Sequence, residues 1–431
     1  MDISRFITCG SVDDGKSTLI GRMLYECGAI YENELKDITD EEINFANLVD
    51  GLEDERKQGI TIDVAYRYFN YENKKFIIAD CPGHEQYTAN MVTAASNAQI
   101  AIILIDATKG LSMQTKRHSY ICALLGIKEI IVAVNKIDLI NYDENVFNKI
   151  KDDYLKEIAN KQSNYYFIPI SAKLGDNIVN NSKNTAYFKD LALLQRLKSI
   201  EVKNSDDEFY FSVQYVNKVD DKRFYLGQVL SGSLEKNEEL VVLPSKQKVN
   251  IKDIIYDFKN VSRAKALEQI AISTNKEVDI SRGNILCKNE DKLFLSKKVL
   301  ADVICFSDID IKNEVLLKLA NQTINAKITK VNYKIDICTL KQSHCDSVKL
   351  NDILCCEISL DKELLCKEYK KNNKLGAFIL IDKYSNKTIA CGMILEQLKQ
   401  DIEEKRQYTK EEKALNKFIR ENYPEWGCIS I

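Results

Sequence analysis

Several short stretches of this chain combine residue types that can grip a polyphosphate. Gly10-Ser11-Val12-Asp13-Asp14-Gly15-Lys16-Ser17 fits the pattern GxxxxGK[ST], after a strand-like run at 6–9 and before a helical run at 18–27. The glycines let the backbone curl until several N–H groups converge on one anion, and the helix start adds positive potential. Lys16 would reach the β- and γ-phosphates, the Ser17 hydroxyl would ligate Mg2+, and Thr18 completes the phosphate-binding stretch. Downstream, Asp80-Cys81-Pro82-Gly83-His84 offers a carboxylate for the metal and a glycine whose N–H can approach the γ-phosphate. It also offers an imidazole to orient an attacking water, so Gly83 and His84 are the candidate catalytic residues. Between these motifs lies Gly59-Ile60-Thr61-Ile62. Thr61 can add a hydroxyl to Mg2+ and an N–H to the γ-phosphate, contacts that a switch loses on hydrolysis. Val12 and Ile60 form an apolar pair that would gate His84.

Two further motifs choose the base. In Asn135-Lys136-Ile137-Asp138, the Asp138 carboxylate can accept from N1–H and the exocyclic amine of guanine. Adenine has no such donor pair and would leave a buried carboxylate unsatisfied, at a cost of about 1–3 kcal/mol. The Lys136 stem can lie along the base, and Ser171-Ala172-Lys173 offers a backbone N–H to guanine O6. In this order along the chain, the motifs predict a GTPase that works with Mg2+ held by Ser17, Thr61 and Asp80.

Chemistry of this kind needs a scaffold that ends several elements at one place. Apolar runs at 6–9, 75–80, 99–106, 129–135 and 165–170 alternate with helical patterns such as 116–125 and 143–161. Continuous apolar strands between helices indicate a parallel, doubly wound α/β sheet, whose ligands sit beyond the strands' carboxyl ends. Each motif follows such a run. After a polar break at 204–207 the pattern changes to short alternating strands at 209–216, 225–231, 239–243, 249–256 and 269–274, punctuated by Gly227, Gly232 and Pro244. A second all-β stretch follows a joint at 289–292. The expected organisation is an α/β P-loop GTPase domain (1–203) followed by two all-β barrel domains (206–290 and 294–396). A charged helical tail (397–431) closes the chain.

Bulk properties bound the partners. A net charge of −3 gives no global basic surface, so no nucleic acid is expected. The 13 cysteines form no CxxC pair, and three histidines are too few for Cys/His metal spacing; reduced thiols in a cytoplasmic protein are expected. No basic and apolar leader opens the sequence and no run reaches the ~20 apolar residues of a membrane helix, so no membrane association is expected.

Longer strings are more specific than the shared motifs. TCGSVDDGKST at 8–18, GITIDVAYRYF at 59–69, GHEQYT at 83–88, QYVN at 214–217, DISRG at 279–283, IDKYSN at 381–386 and the tail from Ala414 to Gly427 resemble the GTPase (large) subunit of bacterial sulfate adenylyltransferase. The resemblance covers essentially the whole chain. It implies a build like elongation factor Tu and a small catalytic partner subunit that carries the ATP and sulfate site. It further implies GTP hydrolysis that drives formation of adenylyl sulfate and pyrophosphate. Cys81, Ala89, Ala95 and Leu375 depart from the residues expected in that family. No fused adenylylsulfate kinase domain is expected after Trp426. The competing reading is an elongation factor that carries aminoacyl-tRNA, a role that wants basic barrel surfaces.

Overall fold

The computed structural model describes residues 3–30, 45, 61–201, 208–219, 222–289, 293–399, 409–423 and 426–429. The expected gate residue Ile60, Gly59, most of the first switch, and the joints at 204–207 and 290–292 lie outside the described residues.

The first domain grows from the apolar runs. Strands β1 (Ile3–Cys9), β2 (Ala65–Tyr71), β3 (Lys74–Asp80), β4 (Ile100–Asp106), β5 (Glu129–Asn135) and β6 (Asn164–Pro169) form one sheet in the order β2-β3-β1-β4-β5-β6. All seven residues of β4 are buried, because both faces of the sheet are covered. Its side chains alternate between two cores. Ile100, Ile102 and Leu104 join Leu19, Ile20 and Met23 of α1 (Lys16–Glu26) and Leu193, Leu194 and Leu197 of α5 (Leu193–Ser199). Ala101, Ile103 and Ile105 face α2 (Thr88–Ala95), α3 (Met113–Leu124) and α4 (Glu144–Glu157). Helix α3 starts at a capping box in which Ser112 accepts the Thr115 N–H at 3.0 Å and Thr115 reciprocates.

One expectation needs correction. The sheet is not wholly parallel: β2 pairs antiparallel with β3 at the edge, from Ala65↔Asp80 to Tyr71↔Lys74. A tight turn through Glu72, with φ 49, joins them, and a hairpin connection forces antiparallel pairing. The edge position also explains why Tyr66 and Tyr68 are exposed while Phe69 turns in to stack on Phe76 at 5.1 Å.

Each of the two following units is a closed six-stranded antiparallel barrel. The first closes where Glu239–Leu243 pairs with Gln247–Tyr256; its short sixth strand, Ile285–Cys287, was not among the strand-like runs of the sequence. The second runs from Phe294–Cys305 to Thr388–Gln397 and closes where Val315–Leu319 meets Gln322–Asp336. The second barrel also packs on the GTPase domain: Ile304, Ile353, Tyr369 and Met393 share one apolar cluster with Met91, Ile121 and Cys122. Tyr369 adds a hydrogen bond from its hydroxyl to Leu125 O at 3.0 Å. The thirteen cysteines are all free, and no helix among the described residues is long and apolar enough to cross a membrane.

Candidate functional site

β1 hands the chain to the phosphate loop, which turns through left-handed backbone at Gly10 (φ +146) and Gly15 (φ +92). A β-carbon on Gly15 would stand 2.4 Å from Asn135 Nδ2, and one on Gly10 2.8 Å from the Leu104 carbonyl, so space as well as conformation demands glycine. Asp14 points inward. Its Oδ2 accepts the Ser11 N–H at 2.6 Å, and burial pushes its pKa up against that bond and the Lys16 charge. Lys16 is buried too, and donates to Ser11 O at 2.7 Å and Gly10 O at 3.4 Å. Val12 is half-buried, Asp13 exposed with φ 66, and Ser17 and Thr18 lie half-buried in the first turn of α1. Among the described residues no side chain caps that helix, and a helix start of this kind offers its first N–H groups to an anion.

Asp80 ends β3 opposite Thr8 of β1, whose hydroxyl donates to its Oδ1 at 3.1 Å. Cys81 and Pro82 are buried behind it. Gly83 then crosses so near the phosphate loop that a β-carbon would lie 2.5 Å from Lys16 Nζ and 2.9 Å from Val12 N. His84 caps a short 3-10 turn, Glu85–Tyr87, by accepting the Gln86 N–H on Nδ1 at 3.4 Å. With Nδ1 accepting, a neutral imidazole would present an N–H donor on Nε2. Thr61 lies just before β2, and its neighbour Ile62 is tied through its carbonyl to Asn90 Nδ2 of α2 at 2.9 Å.

Ser17, Thr61 and Asp80 supply hard oxygen donors, the kind Mg2+ takes alongside water and phosphate oxygens. Among the described residues no group of three or more His, Cys, Asp or Glu forms a metal cage.

On the base side, Asn135, Lys136, Asp138, Ser171, Ala172 and Lys173 line a single cavity of about 380 Å³ that also touches Gly15 and Thr18. Asn135 is the clasp. Its Nδ2 donates to Asp14 O at 2.8 Å and its Oδ1 accepts the Ala172 N–H at 2.9 Å, so the phosphate loop and the Ser-Ala-Lys loop are held by one buried carboxamide. Ser171 Oγ braces the latter loop by accepting the Leu174 N–H at 3.1 Å. Ile137, expected within the guanine motif, turns its side chain into the core.

The comparisons with known proteins extend these motifs to the whole chain. Residues 1–224 match the family model described as the elongation factor Tu GTP binding domain, and residues 298–395 the one described as GTP-eEF1A C-terminal domain-like. Sulfate adenylyltransferase subunit 1 of Cellvibrio japonicus (strain Ueda107) is 42% identical over 446 residues, 100% of this chain and 94% of the relative. The protein of the same name from Francisella tularensis subsp. novicida (strain U112) is 42% identical over 447 residues, 100% of this chain and 95% of its own length. The chain belongs to the sulfate adenylyltransferase subunit 1 family.

For this member of the subunit 1 family, the motifs alone miss three supports of the site. Asp106, at the end of β4, accepts Lys136 Nζ at 2.8 Å and holds that side chain at the cavity. Burial raises its pKa, but the bonds from Lys136 and Thr108 outweigh that and the net shift is downward. Phe45, from the segment before the first switch, closes the cavity together with Leu139 and sits under the Arg22 guanidinium at 5.1 Å. His118 of α3 is fully buried and accepts the Gly10 N–H on Nδ1 at 3.3 Å. Burial, with the Lys16 and Arg117 charges, pushes its pKa down to about 3. Helical spacing puts it on one face with Ile121, Cys122 and Leu125, which signals burial but not the contact with the phosphate loop. Of the positions where the sequence reading expects a departure, Ala95 and Cys81 are buried small residues, and Ala89 is half-buried on α2.

Proposed function

We propose that this chain is the GTP-hydrolysing subunit of a sulfate adenylyltransferase. GTP hydrolysis here drives the formation of adenylyl sulfate and pyrophosphate from ATP and sulfate on a small catalytic subunit with which the chain assembles. The observation that carries the proposal is the Asn135 clasp, which joins a phosphate loop to a base-sized cavity in a chain related over its whole length to subunit 1 proteins.

In this reading Asp138 accepts from guanine, while Lys136, held by Asp106, lies along the base. Residues 10–18 cradle the phosphates, with Lys16 turning from its own loop carbonyls to the β- and γ-oxygens. Ser17, Thr61 and Asp80 hold Mg2+, which supplies charge neutralisation at the transferring phosphoryl group. The Gly83 N–H approaches the γ-phosphate, and His84 donates its Nε2–H to position the attacking water. Loss of the γ-phosphate frees the segment around Thr61 and the turn after His84. The mixed phosphate–sulfate anhydride lies uphill of ATP and sulfate, so hydrolysis helps only if each site biases the other's conformational states. Carriage of aminoacyl-tRNA is supported by nothing beyond the superfamily relationship.

Asp138→Asn tests the reading. It should weaken GTP binding roughly 10- to 100-fold and bring in xanthosine triphosphate, because an amide donates where the carboxylate accepted. In the assembled pair, xanthosine triphosphate should then restore nucleotide-driven adenylyl sulfate formation. Unchanged GTP affinity would contradict the base assignment, and adenylyl sulfate made by this chain alone would contradict the division of labour.

A further inference from the structure

The turn that carries His84 is held from outside its own domain. Asn351, in the loop before strand Ile353–Cys366 of the second barrel, donates from Nδ2 to Glu85 O at 2.9 Å. The Thr88 hydroxyl reaches the same oxygen at 2.7 Å. The other end of that peptide unit is the Gln86 N–H, the group that His84 accepts on Nδ1. A peptide is a rigid plane, so a grip on its carbonyl fixes the direction of its N–H. Hydrogen bonds in series also polarise one another. The imidazole is thus oriented by an amide whose far end is anchored in a different domain.

The anchor is built for this contact. Asn351 is buried, with left-handed backbone at φ 68, a conformation that asparagine tolerates better than most residues. Its own N–H donates to Cys305 O at 2.9 Å, and the Leu350 N–H donates to Asp308 Oδ1 at 2.9 Å, so the loop is pinned to the barrel on both sides. Among the described residues Asn351 Oδ1 is buried without a hydrogen-bond partner, as is Arg117 Nε, while Arg117 Nη1 reaches Glu85 Oε2 at 3.3 Å. Among the described residues the bond that the carboxamide makes is the one to the His84 turn.

We propose that Asn351 is a positioning residue for GTP hydrolysis: through the Glu85–Gln86 peptide it sets the imidazole of His84, so that docking of the second barrel is read directly at the attacking water. This rests on the water-positioning role proposed for His84. It also makes the barrel–GTPase contact the place where a conformational change elsewhere in the assembly would alter hydrolysis.

The test uses the full chain with GTP and Mg2+. Asn351→Gly removes the carboxamide and keeps the left-handed backbone unstrained. It should lower kcat roughly three- to tenfold, the effect of one hydrogen bond, with KM for GTP within about twofold. Asn351→Asp keeps the volume but sets an acceptor against the Glu85 carbonyl, and should be impaired at least as much. In a His84→Ala background, Asn351→Gly should cause no further loss in single-turnover rate. Wild-type turnover in Asn351→Asp or Asn351→Gly would overturn the proposal. So would an equal further loss of rate in the His84→Ala background, which would assign Asn351 a role independent of the histidine. If His84→Ala itself hydrolyses GTP at the wild-type rate, the reading of His84 fails first and this proposal falls with it.

Discussion

A neutral histidine behind the phosphate loop ties the stability of the folded chain to pH. His118 accepts the Gly10 N–H only while its ring is uncharged, and burial beside Lys16 and Arg117 keeps its pKa at about 3. Unfolded, it would titrate near ~6.5. Between those values the unfolded chain binds the extra proton, so stability is complete above about 6.5 and is lost as pH falls towards 3. His118→Asn keeps an acceptor near the position of Nδ1 and cannot be protonated. From pH 7 to 5 the wild type should lose about 2 kcal/mol more unfolding free energy than His118→Asn, measured by urea denaturation. Parallel losses would show that His118 titrates normally in the folded chain. This residue also marks the limit of sequence reading at its own scale. The loop glycines are legible because a close approach permits no other residue type, as the contacts around Gly10, Gly15 and Gly83 show. His118 and Asp106 are supports recruited from distant positions, and their types alone carry no signal of what they touch.

Elements were legible where periodicity was strong. The fully buried β4, and β5, buried from Ile130 on, appear in the sequence as apolar runs, whereas the edge strand β2, with polar and exposed aromatic residues alternating, does not declare its direction. The contact between α3 and the second barrel was not readable at all, because it depends on how separate elements pack. There Asp302, on strand Phe294–Cys305, has its pKa raised by burial to about 6, with Lys370 opposing weakly. Its charge, after burial itself, helps to push Tyr120 of α3 up to about 12, and Tyr333 and Cys355 respond in the same direction. For a carboxyl raised in this way the folded state binds the proton more tightly than the unfolded state. Stability is therefore fullest below the ordinary carboxyl value of 3.8 and is lost as pH rises through about 6. Asp302→Asn should raise the unfolding free energy at pH 8 by about 1–2 kcal/mol and leave it unchanged near pH 4. A stabilisation of equal size at both pH values would point to packing rather than charge.

At the scale of the molecule, three units share their joints. The second barrel contributes Ile304, Ile353 and Tyr369 to the apolar cluster under α2 and α3, and the barrels lock through Asn321 Nδ2 to Ser212 Oγ at 2.7 Å. A change at the γ-phosphate therefore meets a barrel surface within a few bonds of His84, which is what a machine that transmits hydrolysis to a second active site requires. The three-unit build could be inferred from the order of strand patterns and from the family resemblance, since those patterns are local. The routing between units could not. The most direct test of the account measures adenylyl sulfate at steady state in the assembled pair, with ATP and sulfate fixed, comparing GTP with an analogue whose β–γ bond resists hydrolysis. With GTP the yield should stand well above that reached without guanine nucleotide, and the analogue should give no such rise. Equal yields with GTP and the analogue would mean that binding alone acts, and would contradict the claim that hydrolysis on this chain drives the synthesis.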